Sequence, residues 1–198
     1  MCVGQIYDQD QRLQSDIRYT TLALARAKIP SPSDADHWPY ERAQTLYDCD
    51  RVRQVVECLG QMNDNFRRKR VCYATTSLTI ALGKTGKALQ RGYAISAMLS
   101  LARAAKACSR VLFALEGRWC PPDHWLEKEV STLKDPAQVG PLLLQAIKKQ
   151  SLEPLREALQ RLEMTFPDEV PGREQRASLY STIMHPTAWQ DRSIHMLL

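Results

Sequence analysis

Long apolar runs are missing from this 198-residue chain. None approaches the roughly 18 residues of a spanning helix, and no basic-then-apolar leader follows Met1, so neither a transmembrane helix nor a signal peptide is expected. The expected compartment is the cytoplasm, without membrane association. Cys-x-x-Cys pairs are absent as well. The six cysteines are Cys2, Cys49, Cys58, Cys72, Cys108 and Cys120, and Cys120 with His124 is the one Cys and His pair at ligand spacing. That pattern argues against a zinc site or a disulfide framework, and the thiols read as reduced, with Cys58, Cys72 and Cys108 in the core. Internal repeats and low-complexity tracts are also lacking.

Acidic residues are scarce in one segment only. Residues 66–118 hold 11 basic and 1 acidic side chains, against 7 and 10 in residues 1–65 and 9 and 11 in residues 119–198. The net charge of +5 therefore arises in the middle. A segment so charged attracts phosphate, whether of a nucleotide or of a nucleic-acid backbone. A solvated helix face has the same composition.

What the chain does contain is enough for one core: 44% of its residues are hydrophobic, which suits one domain or one domain with a small appendage. Val3 to Tyr7 and Leu13 to Leu22 read as two short strands around the polar turn Asp8-Gln9-Asp10-Gln11, the second by its alternation of Leu13, Ser15, Ile17, Tyr19 and Thr21 against polar neighbours. Residues 29–39, rich in Pro, Ser and Asp, read as a loop. From about Asp50 the pattern is helical, with helices expected near 50–66, 71–90, 93–116, 124–133, 137–149, 152–165 and 173–183. In the third of these, Leu101, Ala105, Cys108, Leu112 and Leu115 form one stripe, with Arg103, Lys106 and Arg110 on the other side. Gly92 separates the second helix from the third, and Asp135-Pro136 and Ser151 supply caps for later ones. The expected fold is mainly α, an antiparallel helical bundle (residues 50–198) behind a short N-terminal β element and loop (residues 1–49).

The densest stretch runs from Val111 to Glu129. Gly117 suits the left-handed residue that ends a helix, Asp123 suits the cap of the next, and between them lie Arg118, Trp119, Cys120, Pro121 and Pro122, followed by His124 and Trp125. Two Trp, an Arg, an Asp and a His in eight residues suggest the wall of a binding site, although a Trp beside a helix end also commonly packs on its own bundle. Lys84, Lys87 and Arg91 stand at i, i+3 and i+7 and would form one basic ridge able to hold a triphosphate, or a solvated face. The expectation is that the ridge faces the Arg118 to Trp125 corner across one cleft. Asp16 is a single carboxylate on a strand, which could aim an oxygen at Mg²⁺ or simply point outward. Arg118 and His124 have the Arg-x5-His spacing of helical endoribonucleases of toxin-antitoxin systems, but Pro121 and Pro122 break the helix between them. His185 and His195 read as surface residues near an irregular C-terminus.

Taken in order, the strand with Asp16, Trp38-Pro-Tyr40-Glu-Arg-Ala43, Leu46-Tyr-Asp48, Gly83-Lys-Thr-Gly-Lys-Ala-Leu-Gln-Arg-Gly92, Leu112-Phe-Ala-Leu-Glu-Gly-Arg118 and Pro122-Asp-His-Trp-Leu126 resemble the latter part of small nucleotidyltransferase-fold proteins. These are similar to the enzymes that adenylylate aminoglycoside and lincosamide antibiotics. The resemblance implies a divided site, a small α/β domain holding metal and nucleotide and a helical bundle shaping the acceptor pocket. Asp16 would match the third metal-binding carboxylate, Lys84, Lys87 and Arg91 would bind nucleotide, and Arg118, Trp119, Asp123 and Trp125 would bind the acceptor. The family's Gly-Ser turn and paired Asp residues, expected several tens of residues before Asp16, have no room among the 15 residues that precede it. Mg²⁺ would be held only if those carboxylates were supplied, so no catalytic residue is assigned in this chain. The expectation is a nucleotidyltransferase-like protein, truncated, a fragment, or completed by another chain, inactive alone and binding a nucleotide or a small polar acceptor. The alternative is a non-catalytic helical module that binds nucleic acid or an acidic protein partner.

Overall fold

The computed structural model of the chain describes residues 2–7, 13–48 and 51–184. The turn Asp8 to Gln11, Cys49, Asp50, His185 and His195 lie outside the described residues. Those described form a mainly helical protein, the expected class. None of their helices is long and apolar enough to cross a membrane. The backbones of β1 (Cys2–Tyr7) and β2 (Leu13–Tyr19) pair antiparallel ahead of the helices, with Gln5 opposite Asp16.

The second strand stops short of Leu22, because α1 (Leu22–Lys28) begins there. Its sequence is Leu-Ala-Leu-Ala-Arg-Ala-Lys, all strong helix formers, and the Thr21 hydroxyl caps it by accepting from the Leu24 N–H at 3.2 Å. The expected loop at 29–39 contains the short α2 (Asp34–His37) and leads into a 3-10 turn at Trp38–Tyr40. Then comes α3 (Val52–Gly60).

The break expected at 67–70 lies instead at 61–63. One 27-residue helix, α4 (Asp64–Gln90), replaces the separate ends and starts foreseen there. Asn63 starts it by accepting from the Phe66 N–H at 2.8 Å, and residues 67–70 contain neither Pro nor Gly to interrupt it. Gly92, at φ +72°, turns the chain into α5 (Ala94–Leu115), which lies against α4 as an antiparallel hairpin. Gly117, at φ +69°, ends α5 as expected, with the Arg118 N–H donating to the Phe113 carbonyl at 2.8 Å.

Leu101, Ala105, Cys108 and Leu112 are buried on the predicted face of α5, and Leu115 is half-buried against the same core. The remaining helices complete that core: α6 (Leu126–Val130), α7 (Val139–Lys149), α8 (Glu153–Thr165) and α9 (Arg173–Met184). Gln138 holds the N-cap position of α7, and the Asp135 carboxylate serves the first turn from three residues further back, accepting from the N–H groups of Val139 at 2.9 Å and Gly140 at 2.6 Å. Ser151 does not cap α8, whose N-cap is Leu152. Asp123 does not cap the 3-10 turn Asp123–Trp125 that precedes α6, since Pro122 holds that position and the Asp123 carboxylate binds Lys106 at 2.7 Å. A smaller cluster joins Ala25 of α1 to Val55 and Leu59 of α3, with Leu22 and Tyr40 against it. Cys58, expected in the core, points away from that cluster and is exposed, whereas Cys120 is buried.

Candidate functional site

Arg70, Arg110 and Arg118 are basic residues of the middle segment that turn inward. Asp34 of α2 faces the guanidinium of Arg70 at 3.3 Å and that of Arg110 at 3.3 Å, and also accepts from the Cys120 N–H at 3.3 Å. Arg70 is almost wholly buried and donates in addition to the Pro32 carbonyl at 2.5 Å. Burial lowers its pKa, since the charged form loses hydration, and the Asp34 carboxylate opposes that shift. The third, Arg118, pairs through Nε with Glu41 at 2.6 Å and through Nη2 with Glu129 at 2.9 Å, and Nη1 donates to Thr132 at 2.9 Å. Trp119 is buried, its ring stacked on His37 at 3.9 Å and tilted against Phe66 at 5.0 Å. Both ring nitrogens of His37 face backbone carbonyls, those of Leu59 at 2.7 Å and Ser31 at 2.8 Å. The start of the Arg118 to Trp125 corner thus clamps residues 31–41 onto the end of the α4–α5 hairpin. Its last residue, Trp125, stays partly exposed beside Trp38, with Lys128 over its ring.

Lys84, Lys87 and Arg91 lie at the other end of the hairpin. From Phe66, which touches Trp119, to Lys84 is 18 residues of continuous helix, about 27 Å along the axis. The ridge and the corner therefore do not face each other across one cleft. The antiparallel return of the chain at Gly92 puts them at opposite ends. Arg118 instead borders a different cavity, of about 760 Å³, with Met62, Arg67, Glu116 and Phe166 among its walls. Several of its polar groups have partners within the fold: Arg67 pairs with Glu169, and Glu116 accepts from the Asp135 N–H at 3.0 Å. His124 is exposed, while the Arg118 guanidinium is already engaged by two carboxylates, so the ribonuclease-like spacing is not assembled as a pair.

Lys84 and Lys87 line a groove of about 450 Å³ between α4 and α9. On α4 the lining residues Thr76, Thr79, Ile80, Gly83, Lys84 and Lys87 recur at i, i+3, i+4, i+7, i+8 and i+11, one face of a straight helix. On α9 Arg173, Arg176, Ala177 and Tyr180 recur at i, i+3, i+4 and i+7 and turn to meet it. No acidic side chain lines the groove. The Thr76 and Thr79 hydroxyls donate back to the carbonyls of Cys72 at 2.9 Å and Thr75 at 3.0 Å, leaving the cations as donors to a bound anion. Lys84, Lys87 and Arg173 are exposed. Arg176 is nearly buried and anchored by Glu163 and by the Pro171 carbonyl at 2.7 Å, but its Nε has no hydrogen-bond partner. Gly83 leaves the floor open, since a Cβ placed there would meet nothing within 4 Å. Arg91 lies one turn beyond, outside the lining.

The α9 half of this groove went unread in the sequence. Its signal was there, Arg173-x2-Arg176-x3-Tyr180, one helical stripe of two cations and an aromatic ring. What periodicity could not supply was the partner, because α9 meets α4 across some 90 residues of chain. Asp16 lies in β2, and among the described residues no three His, Cys, Asp or Glu side chains gather as a metal-holding group. No protein-family model, curated protein or solved structure matches this chain.

Proposed function

We propose that the helical body binds a nucleotide or a related phosphate-bearing small molecule in the groove between α4 and α9. The observation that carries this reading is the lining itself: four cationic side chains, one aromatic ring and no carboxylate around about 450 Å³. Lys84, Lys87 and Arg173 supply mobile charge for phosphate, while Arg176, fixed by Glu163, directs a preorganised guanidinium. Tyr180 offers a ring face of the kind on which a base or sugar packs. Apolar walls with a few convergent polar groups are the general form of a small-molecule site.

This reading agrees with the nucleotidyltransferase-like resemblance in its ligand and departs from it in placement. Arg118 and Trp119 have structural partners, so the polar acceptor suggested for that corner would have to enter beside Gly117 and Arg118, about 25 Å from the groove along α4. One reaction centre cannot span that distance. Within this chain the groove therefore serves binding, and nucleotidyl transfer would need carboxylates and Mg²⁺ from elsewhere. In that setting the β1–β2 segment carrying Asp16 is the remnant of an α/β nucleotidyltransferase domain.

Titration of a fluorescent ATP analogue tests the proposal. The parent protein is expected to bind saturably and more weakly as salt rises, and Lys84→Ala with Lys87→Ala and Arg173→Ala is expected to weaken binding at least about tenfold without altering the circular dichroism. Equal affinity in the triple variant would contradict the assignment. So would the absence of saturable binding by the parent.

A further inference from the structure

The hairpin of α4 and α5 carries large apolar side chains that no part of the described fold covers. Leu89, Tyr93, Met98 and Leu99 are 55–58% exposed and Ile95 is 77% exposed. On α5, Ile95, Met98, Leu99 and the exposed Ala102 stand at i, i+3, i+4 and i+7. That stripe lies opposite Ala97, Leu101, Ala104 and Cys108, which are buried, so α5 is apolar on two faces along its first half. Water should not face such a stripe unless something else does at times: exposed apolar residues scattered singly are ordinary, but a contiguous helical row marks an interaction surface.

The charge around the row narrows what can cover it. Arg103 continues it one turn on, Lys84 shares a small cavity with Arg103 and Ser100, and Arg91 stands at the turn between the helices. Between Asp64 and Glu116 the chain has no acidic residue at all. A second copy of this chain would bring like charges together, which costs rather than stabilises. A nucleic acid would answer the cations but leave Ile95, Met98 and Leu99 without an apolar counterpart. A bilayer met end-on would need apolar side chains at the apex, where the chain has Gln90, Arg91 and Gly92. An amphipathic helix with an acidic polar face satisfies both features, laying i, i+3, i+4, i+7 anchors along the row and carboxylates toward the rim.

We propose that the exposed Ile95-Met98-Leu99 face of α5 docks an acidic amphipathic helix of a partner protein, with Arg103 and Lys84 setting its charge preference. The surface is independent of the nucleotide groove in its apolar residues, none of which lines that groove. Its test uses the full chain and a fluorescein-labelled helical peptide of about five turns, with Leu at i, i+3, i+4 and i+7 and Glu on the other face. The acidic peptide is expected to bind saturably, and a version with Lys in place of Glu at least about tenfold more weakly. Ile95→Glu with Leu99→Glu should abolish binding while keeping the parent's circular dichroism and its affinity for the ATP analogue, and Arg103→Ala should reduce peptide binding while keeping the circular dichroism. Three results would overturn the proposal: no saturable binding of the acidic peptide, binding unchanged by Ile95→Glu with Leu99→Glu, or binding of phosphatidylserine vesicles or single-stranded DNA in its place. Loss of nucleotide binding alone would instead count against the groove and leave this surface standing.

Discussion

Burial pushes the Cys108 thiol up to about 12 and the Cys120 thiol up to about 11, because a thiolate at either place would give up its water, and Asp135 and Asp34 add their negative charge. Cys58 is exposed on α3. Alkylation of the folded protein near pH 8, mapped by peptide mass, should therefore modify Cys58 and spare Cys108 and Cys120 until denaturant is added. Comparable labelling of Cys120 and Cys58 would show that the corner opens. The raised values also set a sign: the stabilisation from keeping both thiols protonated is complete below the ordinary value of 9.0 and is lost as pH rises through 11 to 12. Single residues of the site divide in the same way between legible and illegible. Lys84 and Lys87 could be found from their spacing because a solvated ridge and a groove wall share the same helical face. Arg118 and Trp119 looked like ligand-binding residues because their composition is that of a site, whereas Glu41 and His37, which engage them together with the nearby Glu129, come from a distant segment.

Helix α5 was readable almost in full, since one stripe of apolar residues fixed its phase and two glycines fixed its ends. Leu112→Ala is expected to destabilise the protein by about 2 to 5 kcal/mol through the cavity left in the main core. A near-neutral shift in thermal unfolding would contradict that placement. Helix α4 was less readable. The run Arg67-Arg68-Lys69-Arg70 looks like a solvated interruption, but the helix continues because Arg70 finds Asp34 and Pro32 in the interior and Arg67 finds Glu169. Those partners come from α2, from the loop before it and from just beyond α8, and local periodicity contains no trace of them. Helix α1 was hidden for a different reason: the alternation of the strand ran on through residues whose intrinsic preference is helical.

Across the whole molecule, the positive segment splits into two roles. At one end of the α4–α5 hairpin Arg70, Arg110 and Arg118 meet Asp34, Glu41 and Glu129 and bind residues 31–41 to the bundle. At the other, Lys84 and Lys87 join Arg173 and Arg176 with no acidic residue in the groove they line. A lining that gathers four cationic side chains with no carboxylate is what gives the groove its claim as the ligand site. Photolabelling with 8-azido-ATP followed by peptide mapping tests that claim most directly, since it reports position as well as binding. The label is predicted on Tyr180 or within residues 76–87, and to be suppressed by excess ATP. Saturable labelling beside Gly117 and Arg118 instead, at the far end of α4, would contradict it.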